Sequence, residues 1–222
     1  MVDFLPFPVL QNFLLFSHYL VRVHLQKIPH SGYISPEAMV TCLSAATNLK
    51  YLDIRFLSPP SRPDSRPPPL IRTILPALTD LYFQGVIEYS EDFISRVDAP
   101  LLDRVIIYLF HQLTFDLSQL HQFIRRTETL SSVNFARIDL DNGRASVELA
   151  QMPHPYLPSI RLLTQSSGSD WQLSFLAQTC SSLSPTLSTF ETLKVRGVGF
   201  QPLRAGWEDD MENSQWVELF HP

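Results

Sequence analysis

Glycine is scarce in this chain: 7 of 222 residues. Neither a G-x-G-x-x-G nor a G-x-x-x-x-G-K-[ST] pattern occurs, so phosphate sites built on glycine-rich loops are excluded. Cysteine is scarcer still. Cys42 and Cys180 lie far apart with no C-x-x-C, which gives neither a disulfide framework nor a zinc motif. Two reduced, buried thiols in a reducing compartment are expected instead. Basic excess is absent, with 17 Lys+Arg against 22 Asp+Glu and a net charge of −5. Nucleic-acid binding driven by phosphate contacts is therefore not expected. Long apolar runs are missing too. The stretch Phe4–Phe16 is interrupted by Pro6 and Pro8 and preceded by Asp3, with no basic segment before it. It reads as neither a signal peptide nor a membrane span, which needs about 18 apolar residues or more. The expectation is a soluble, intracellular protein, cytoplasmic or nuclear, with no membrane partner.

What is abundant is apolar residues, at 45%, and proline, at 18 residues. With only 18% charged residues the chain is too apolar and too weakly charged to remain disordered. The organising feature is a repeat. The template leucine–x–x–apolar–x–apolar occurs as LVRVHL, LKYLDI, LTDLYF, LDRVII, LSSVNF and LPSIRL, and with Phe in first place as FETLKV. The starts fall at 20, 49, 78, 102, 130, 157 and 190, spaced 24 to 33 residues apart. Eight residues after each start stand Ile28, Leu57, Val86, Phe110, Ile138, Gln165 and Val198, six of them apolar. Each hexapeptide reads as a strand with alternate residues inward.

Helical signals fill the gaps. Ser35-Pro36-Glu37 is a capped helix start, followed by an apolar face of Met39, Val40 and Leu43. Ser90-Glu91-Asp92 opens a helix burying Phe93, Ile94 and Val97, stopped by Pro100. Asp116 caps a helix with Leu117, Leu120, Phe123 and Ile124 inward. Asp170 precedes Leu173, Leu176, Ala177 and Cys180. Strand, turn, helix, turn at this period predicts an α/β leucine-rich-repeat solenoid of about seven irregular repeats. Its curved parallel sheet lies on the concave side and its helices on the convex side. One domain is expected over 1–222, incomplete at both ends. Three places interrupt the rhythm. The segment 58–69, with six prolines in twelve residues, cannot be helical and reads as an extended surface loop. Asp141-Asn142-Gly143 is a hairpin turn that folds Arg144–Ala150 back beside strand five. The tail Glu212–Phe220 starts a helix that presents Trp216, Leu219 and Phe220 with no further repeat to pack on.

Two segments carry a family resemblance: SGSDWQLSFLAQTCSSLSPTLSTFETLKV at 167–195 and WEDDMENSQWVELFHP at 207–222. They resemble the leucine-rich region of the F-box-like proteins of mushroom-forming (basidiomycete) fungi. There, too, a DWQL-type helix leads into an L-x-x-L strand, and an EN-x-QW-x-EL-x-HP helix follows. The resemblance spans roughly residues 10–222 and is diffuse outside those two segments. It implies an intracellular repeat domain that recruits a target protein to a ubiquitin ligase. The chain departs from the family pattern in lacking the F-box: Phe4-Leu5-Pro6 is not followed by its acidic, helical continuation. A Skp-type adaptor is therefore a partner only if a longer form carries an F-box. A free-standing interaction scaffold and a degenerate fragment without its own function are the alternatives.

Enzyme chemistry finds little support in the residues. His18, His24 and His30 recur at intervals of six, which does not place them on one helix face; His111 and His121 flank a strand-to-helix turn. No H-E-x-x-H occurs, and no G-x-S-x-G elbow marks a nucleophile. Asp139–Gly143 lacks the ligand spacing of a calcium loop. Leu81–Gly85 resembles a protease cleavage motif, but its spacing is that of a strand. The expectation is no catalytic residue, no metal and no cofactor, with a small hydrolase as the less favoured reading. What remains is the strand surface. Outward positions stack in three rows: Arg22, Tyr51, Asp80, Arg104; then His24, Asp53, Tyr82, Ile106; then Gln26, Arg55, Gln84, Tyr108. Candidate partner-binding residues are Arg22, His24, Tyr51, Asp53, Arg55, Asp80, Tyr82, Gln84, Arg104 and Tyr108. Exposed Tyr and Arg are the residues that most often anchor interfaces. The competing reading is an ordinary solvated sheet on which Asp80 pairs with Arg104.

Overall fold

The computed structural model describes residues 18–58, 71–110, 116–141, 143–151, 159–165, 169–187 and 190–197. The apolar N-terminal stretch, nearly all of the proline-rich segment and the tail from 198 lie outside them. The described chain runs β1 (Arg22–Ile28), α1 (Pro36–Leu43), β2 (Tyr51–Phe56), β3 (Thr73–Ile74), β4 (Asp80–Gly85), α2 (Ile87–Ser95), β5 (Val97–Asp98) and β6 (Arg104–Leu109). It continues through α3 (Ser118–Arg126), α4 (Glu128–Ser131), β7 (Phe135–Asp141), β8 (Arg144–Ala150), β9 (Ser159–Gln165), α5 (Ser169–Leu187) and β10 (Thr192–Gly197). A short 3₁₀ turn, His30–Gly32, links β1 to α1. Among these residues no helix is long and apolar enough to cross a membrane.

The architecture is mixed α/β. Eight strands form one sheet in the order β1-β2-β4-β6-β9-β8-β7-β10, all parallel to their neighbours except β8. The first four template hexapeptides behave alike. Val21 O accepts the N–H of Lys50 and Tyr51, Lys50 O those of Thr79 and Asp80, and Thr79 O those of Asp103 and Arg104, at 2.8–3.1 Å. One staircase of bonds thus recurs at the foot of each strand. The inward template residues, such as Leu52, Ile54, Leu81, Phe83, Val105 and Ile107, are buried. They form one core with Met39 and Leu43 of α1, Phe93 and Ile94 of α2, Phe123 of α3 and Leu176 of α5.

The strand order departs from a solenoid in the second half. A solenoid would set β7 beside β6; β9 holds that place, and β7 lies three positions away. The three strands β7-β8-β9 form an antiparallel meander, so β7 and β9 run in the same direction. Either outer strand can then lie parallel to β6 with its apolar face inward, and α3, α4 and α5 make the crossovers. The hairpin is as expected: Asp141 pairs with Arg144, and Gly143 adopts φ 79°, a conformation glycine takes without strain.

Two helix starts differ from expectation. Ser35 caps α1 as read, accepting the Ala38 N–H at 3.2 Å. But α2 opens at Ile87, ahead of Ser90, and ends at Ser95; Val97 and Asp98 then pair with Thr73 and Ile74. Glu91, expected in the first turn of α2, reaches instead to the start of α3. Its carboxylate accepts the N–H groups of Gln119 and Leu120 at 2.6 and 3.0 Å, capping α3 from outside. Burial pushes its pKa up to about 8, against the pull of those two N–H groups. At the other end of α3, Arg126 donates to Ile94 O and Val97 O at 2.6 and 3.0 Å and pairs with Asp98 at 2.9 Å. Adjacent helices are therefore joined by polar bonds at both ends as well as by the core.

The open face of the sheet as candidate functional site

Because strand residues alternate, burying one face under helices leaves the other as a polar surface. The register is the one the rows anticipate. Arg22, Tyr51, Asp80 and Arg104 are successive partners, as are His24, Asp53, Tyr82 and Ile106. In the third row Arg55, Gln84 and Tyr108 are partners. Gln26 falls out of that row, because Lys27, at φ 57°, makes a bulge that pairs Ile28 with Phe56.

The centre of the N-terminal half is a ladder of rings. His24 lies 4.8 Å from Tyr51, and Tyr51 lies 5.2 Å from Tyr82, centroid to centroid. The Arg22 guanidinium sits 4.6 Å over the Tyr51 ring, a cation–π contact. Arg104 shares a hydrogen bond with Tyr82, the main cause that raises its pKa, and its Nη1 stands 3.5 Å from Asp80. Burial, then the Asp53 charge, raises the Tyr51 pKa. Tyr51, Tyr82, Arg104, Gln84 and Tyr108 are all half-buried, while Arg22 and His24 are exposed.

Asp53 plays a different part from the one expected. It is fully buried beneath its neighbours, and three side chains share its carboxylate: Arg55 at 2.7 Å, Gln26 at 2.6 Å and His24 at 3.4 Å. It cannot touch a partner; it orients the residues that can. Charge-assisted bonds of this kind are about twice as strong as neutral ones.

The face continues across residues that the sequence reading did not include. Arg161 of β9 follows Ile106 in register, then Glu148, Arg137 and Lys194. Arg161 pairs with Glu148 at 2.6 Å and Arg137 with Asp139 at 2.7 Å. Tyr108 donates to Gln165 at 2.9 Å. The signal for Arg161 and Lys194 was present, since both stand four after a template start. Arg137 was masked by a register slip. LSSVNF ends where β7 begins, and Phe135 lies on the polar face with Lys194 5.6 Å over its ring. A one-residue slip moves every side chain of a strand to the other face.

Among the described residues no group of three or more His, Cys, Asp or Glu side chains is placed to hold a metal ion. The histidines of the sequence reading are scattered: His18 bonds Ala45 O, His24 bonds Asp53, and His121 lies on α3 with its buried Nε2 unpartnered among the described residues. No family model, no curated protein and no solved structure matches the chain.

Proposed function

We propose that the chain is a non-catalytic protein-binding module whose partner docks on the open face, centred on Tyr51, Tyr82 and Arg104. The observation that carries this reading is the His24–Tyr51–Tyr82 ring ladder, flanked by Arg22 and Arg104 and half-open to solvent. Tyr and Arg dominate the residues that anchor interfaces. Here Asp53 holds His24 and Arg55, and Asp80 holds Arg104, so these side chains have less freedom to lose on binding. Within this reading, the four strands β1, β2, β4 and β6 with their helices are a leucine-rich-repeat unit. The resemblance at 167–195 and 207–222 suggests the target-recognition region of an F-box-like ubiquitin-ligase receptor.

The test is a quantitative pull-down from fungal extract with three proteins: wild type, the Tyr51→Ala/Tyr82→Ala/Arg104→Ala variant, and Gln122→Ala on the exposed side of α3. Each anchor lost is expected to weaken binding by about 2 kcal/mol, roughly thirtyfold. Partners held by wild type should thus vanish from the triple variant and persist with Gln122→Ala. Circular dichroism establishes that the triple variant is folded. Equal recovery by folded wild type and folded triple variant sinks the assignment of the site.

A further inference from the structure

At its C-terminal margin the sheet ends in a strand that is only half used. β10 is an edge: it pairs with β7 on one side, and the described residues place no strand on the other. All six of its residues are exposed. Its two faces differ in chemistry. Leu193 and Val195 lie on the face that elsewhere carries the core, yet they are 48% and 41% exposed. Lys194 and Arg196 lie on the polar face, the first with its ammonium 5.6 Å over the Phe135 ring and the second beside its register partner Asp139. Lys194 is also the register partner of Arg137, which Asp139 already pairs at 2.7 Å, so among the described residues this corner sets three cations, Arg137, Lys194 and Arg196, around one carboxylate.

We infer that the β10 edge accepts an extended segment of a partner protein as a ninth strand, and that this segment alternates acidic with apolar residues. The site is separate from the ring ladder, at the opposite margin of the sheet. An added strand meets the open N–H and C=O groups of β10 through its own backbone. Its alternate side chains then fall opposite those of β10. Carboxylates on the polar face meet Lys194 and Arg196, which stand roughly 7 Å apart along the strand. Aliphatic side chains on the other face cover Leu193 and Val195 and extend the core. A second copy of the same edge is a poor occupant, because it brings Lys194 and Arg196 against their own kind. A nucleic-acid strand supplies anions but nothing to cover the two aliphatic residues. Edge lysines also guard sheets against chance pairing; a guard repels apolar strands and gives no reason for affinity toward an acidic one.

The experiment is a fluorescence-anisotropy titration of the full chain with a labelled peptide of about seven residues, alternating Glu and Val. The controls are an alternating Lys and Val peptide, a peptide of the first composition with its glutamates in one block, and an oligouridylate of equal charge. Saturable binding of the alternating acidic peptide is expected, with both peptide controls and the oligonucleotide at least about tenfold weaker. The variant Lys194→Glu/Arg196→Glu alters only exposed side chains and is expected to exchange its preference, binding the lysine peptide instead. The triple alanine variant of the ring ladder is expected to bind the acidic peptide as wild type does, so failure of one site leaves the other standing. Three results overturn the inference. The first is no binding of the acidic peptide to wild type, which leaves Lys194 and Arg196 as guards or the edge occupied by residues 198–222. The second is binding unchanged by the double charge reversal. The third is equal affinity for the oligonucleotide.

Discussion

Ile107→Asp is expected to abolish folding, and Ile106→Asp to leave the fold intact. The two isoleucines are adjacent in β6, and alternation sends them to opposite faces. Ile107 is 0% exposed and stands in register between Phe83 and Leu162, beneath the helices. A carboxylate there would stand among the apolar side chains of the core, Phe83, Val105 and Leu162 among them. Burying it, or protonating it, costs several kcal/mol. That is comparable with the whole stability of a typical domain, about 5–15 kcal/mol. Ile106 lies half-buried on the open face between Tyr82 and Arg161, where a carboxylate gains a cation as neighbour. Soluble yield and the thermal melt by circular dichroism separate the two. Equal damage from both changes would mean that the second face is also covered.

The second large effect lies in the core beneath β2 and β4. Tyr89 is 0% exposed and packs its ring 4.9 Å from Phe56, 5.5 Å from Phe83 and 5.9 Å from Tyr33. Its hydroxyl has no hydrogen-bond partner among the described residues, and burial drives its pKa well above the usual tyrosine value. Tyr89→Ala removes the ring and leaves a cavity; about 3–5 kcal/mol of stability should go with it. Tyr89→Phe removes only an unsatisfied polar atom and should be neutral or stabilising by about 1 kcal/mol. Urea unfolding of wild type and both variants measures the differences. A loss above about 2 kcal/mol for Tyr89→Phe would show that the hydroxyl is bonded after all.

The first half of the fold was legible because its signals are local. From Leu20 to Ile107 the template residues face inward, the Ser35 cap holds, and the outward rows apart from Gln26 fall into register. Asp116 bonds the Ser118 N–H but stands one residue ahead of the N-cap, Leu117, and Glu91 does the capping expected of it. Two features there were not legible. The bulge at Lys27 carries no sequence signal of its own, and Glu91 acts between α2 and α3, where sequence spacing has no purchase. In the second half the hairpin was legible from Asn142-Gly143, but the position of the meander was not. β7 and β9 are both parallel to β6 and both present aliphatic residues inward, so the pattern of apolar residues is satisfied in either order. In the observed order α5 packs on β8 and on α3, contacts between distant segments that no local signal encodes. The same limit applies to the open face: Asp80 beside Arg104 could be read from the rows, while the Arg104–Tyr82 bond and the burial of Asp53 under its neighbours could not.

The continuity of the face from β1 to β10 depends on β9 lying beside β6. Cysteine pairs test this directly, since a disulfide needs Cα atoms about 4.4–6.8 Å apart. Ile106 and Arg161 are register partners on adjacent strands, about 4.8 Å apart. Ile106 and Arg137 lie on strands three places apart in the sheet, about 14 Å. Under mild oxidation of the folded chain, Ile106→Cys/Arg161→Cys is expected to form its disulfide, and Ile106→Cys/Arg137→Cys is expected to remain reduced. The opposite outcome, a disulfide only in the second pair, would contradict the observed strand order and restore a solenoid with β7 beside β6.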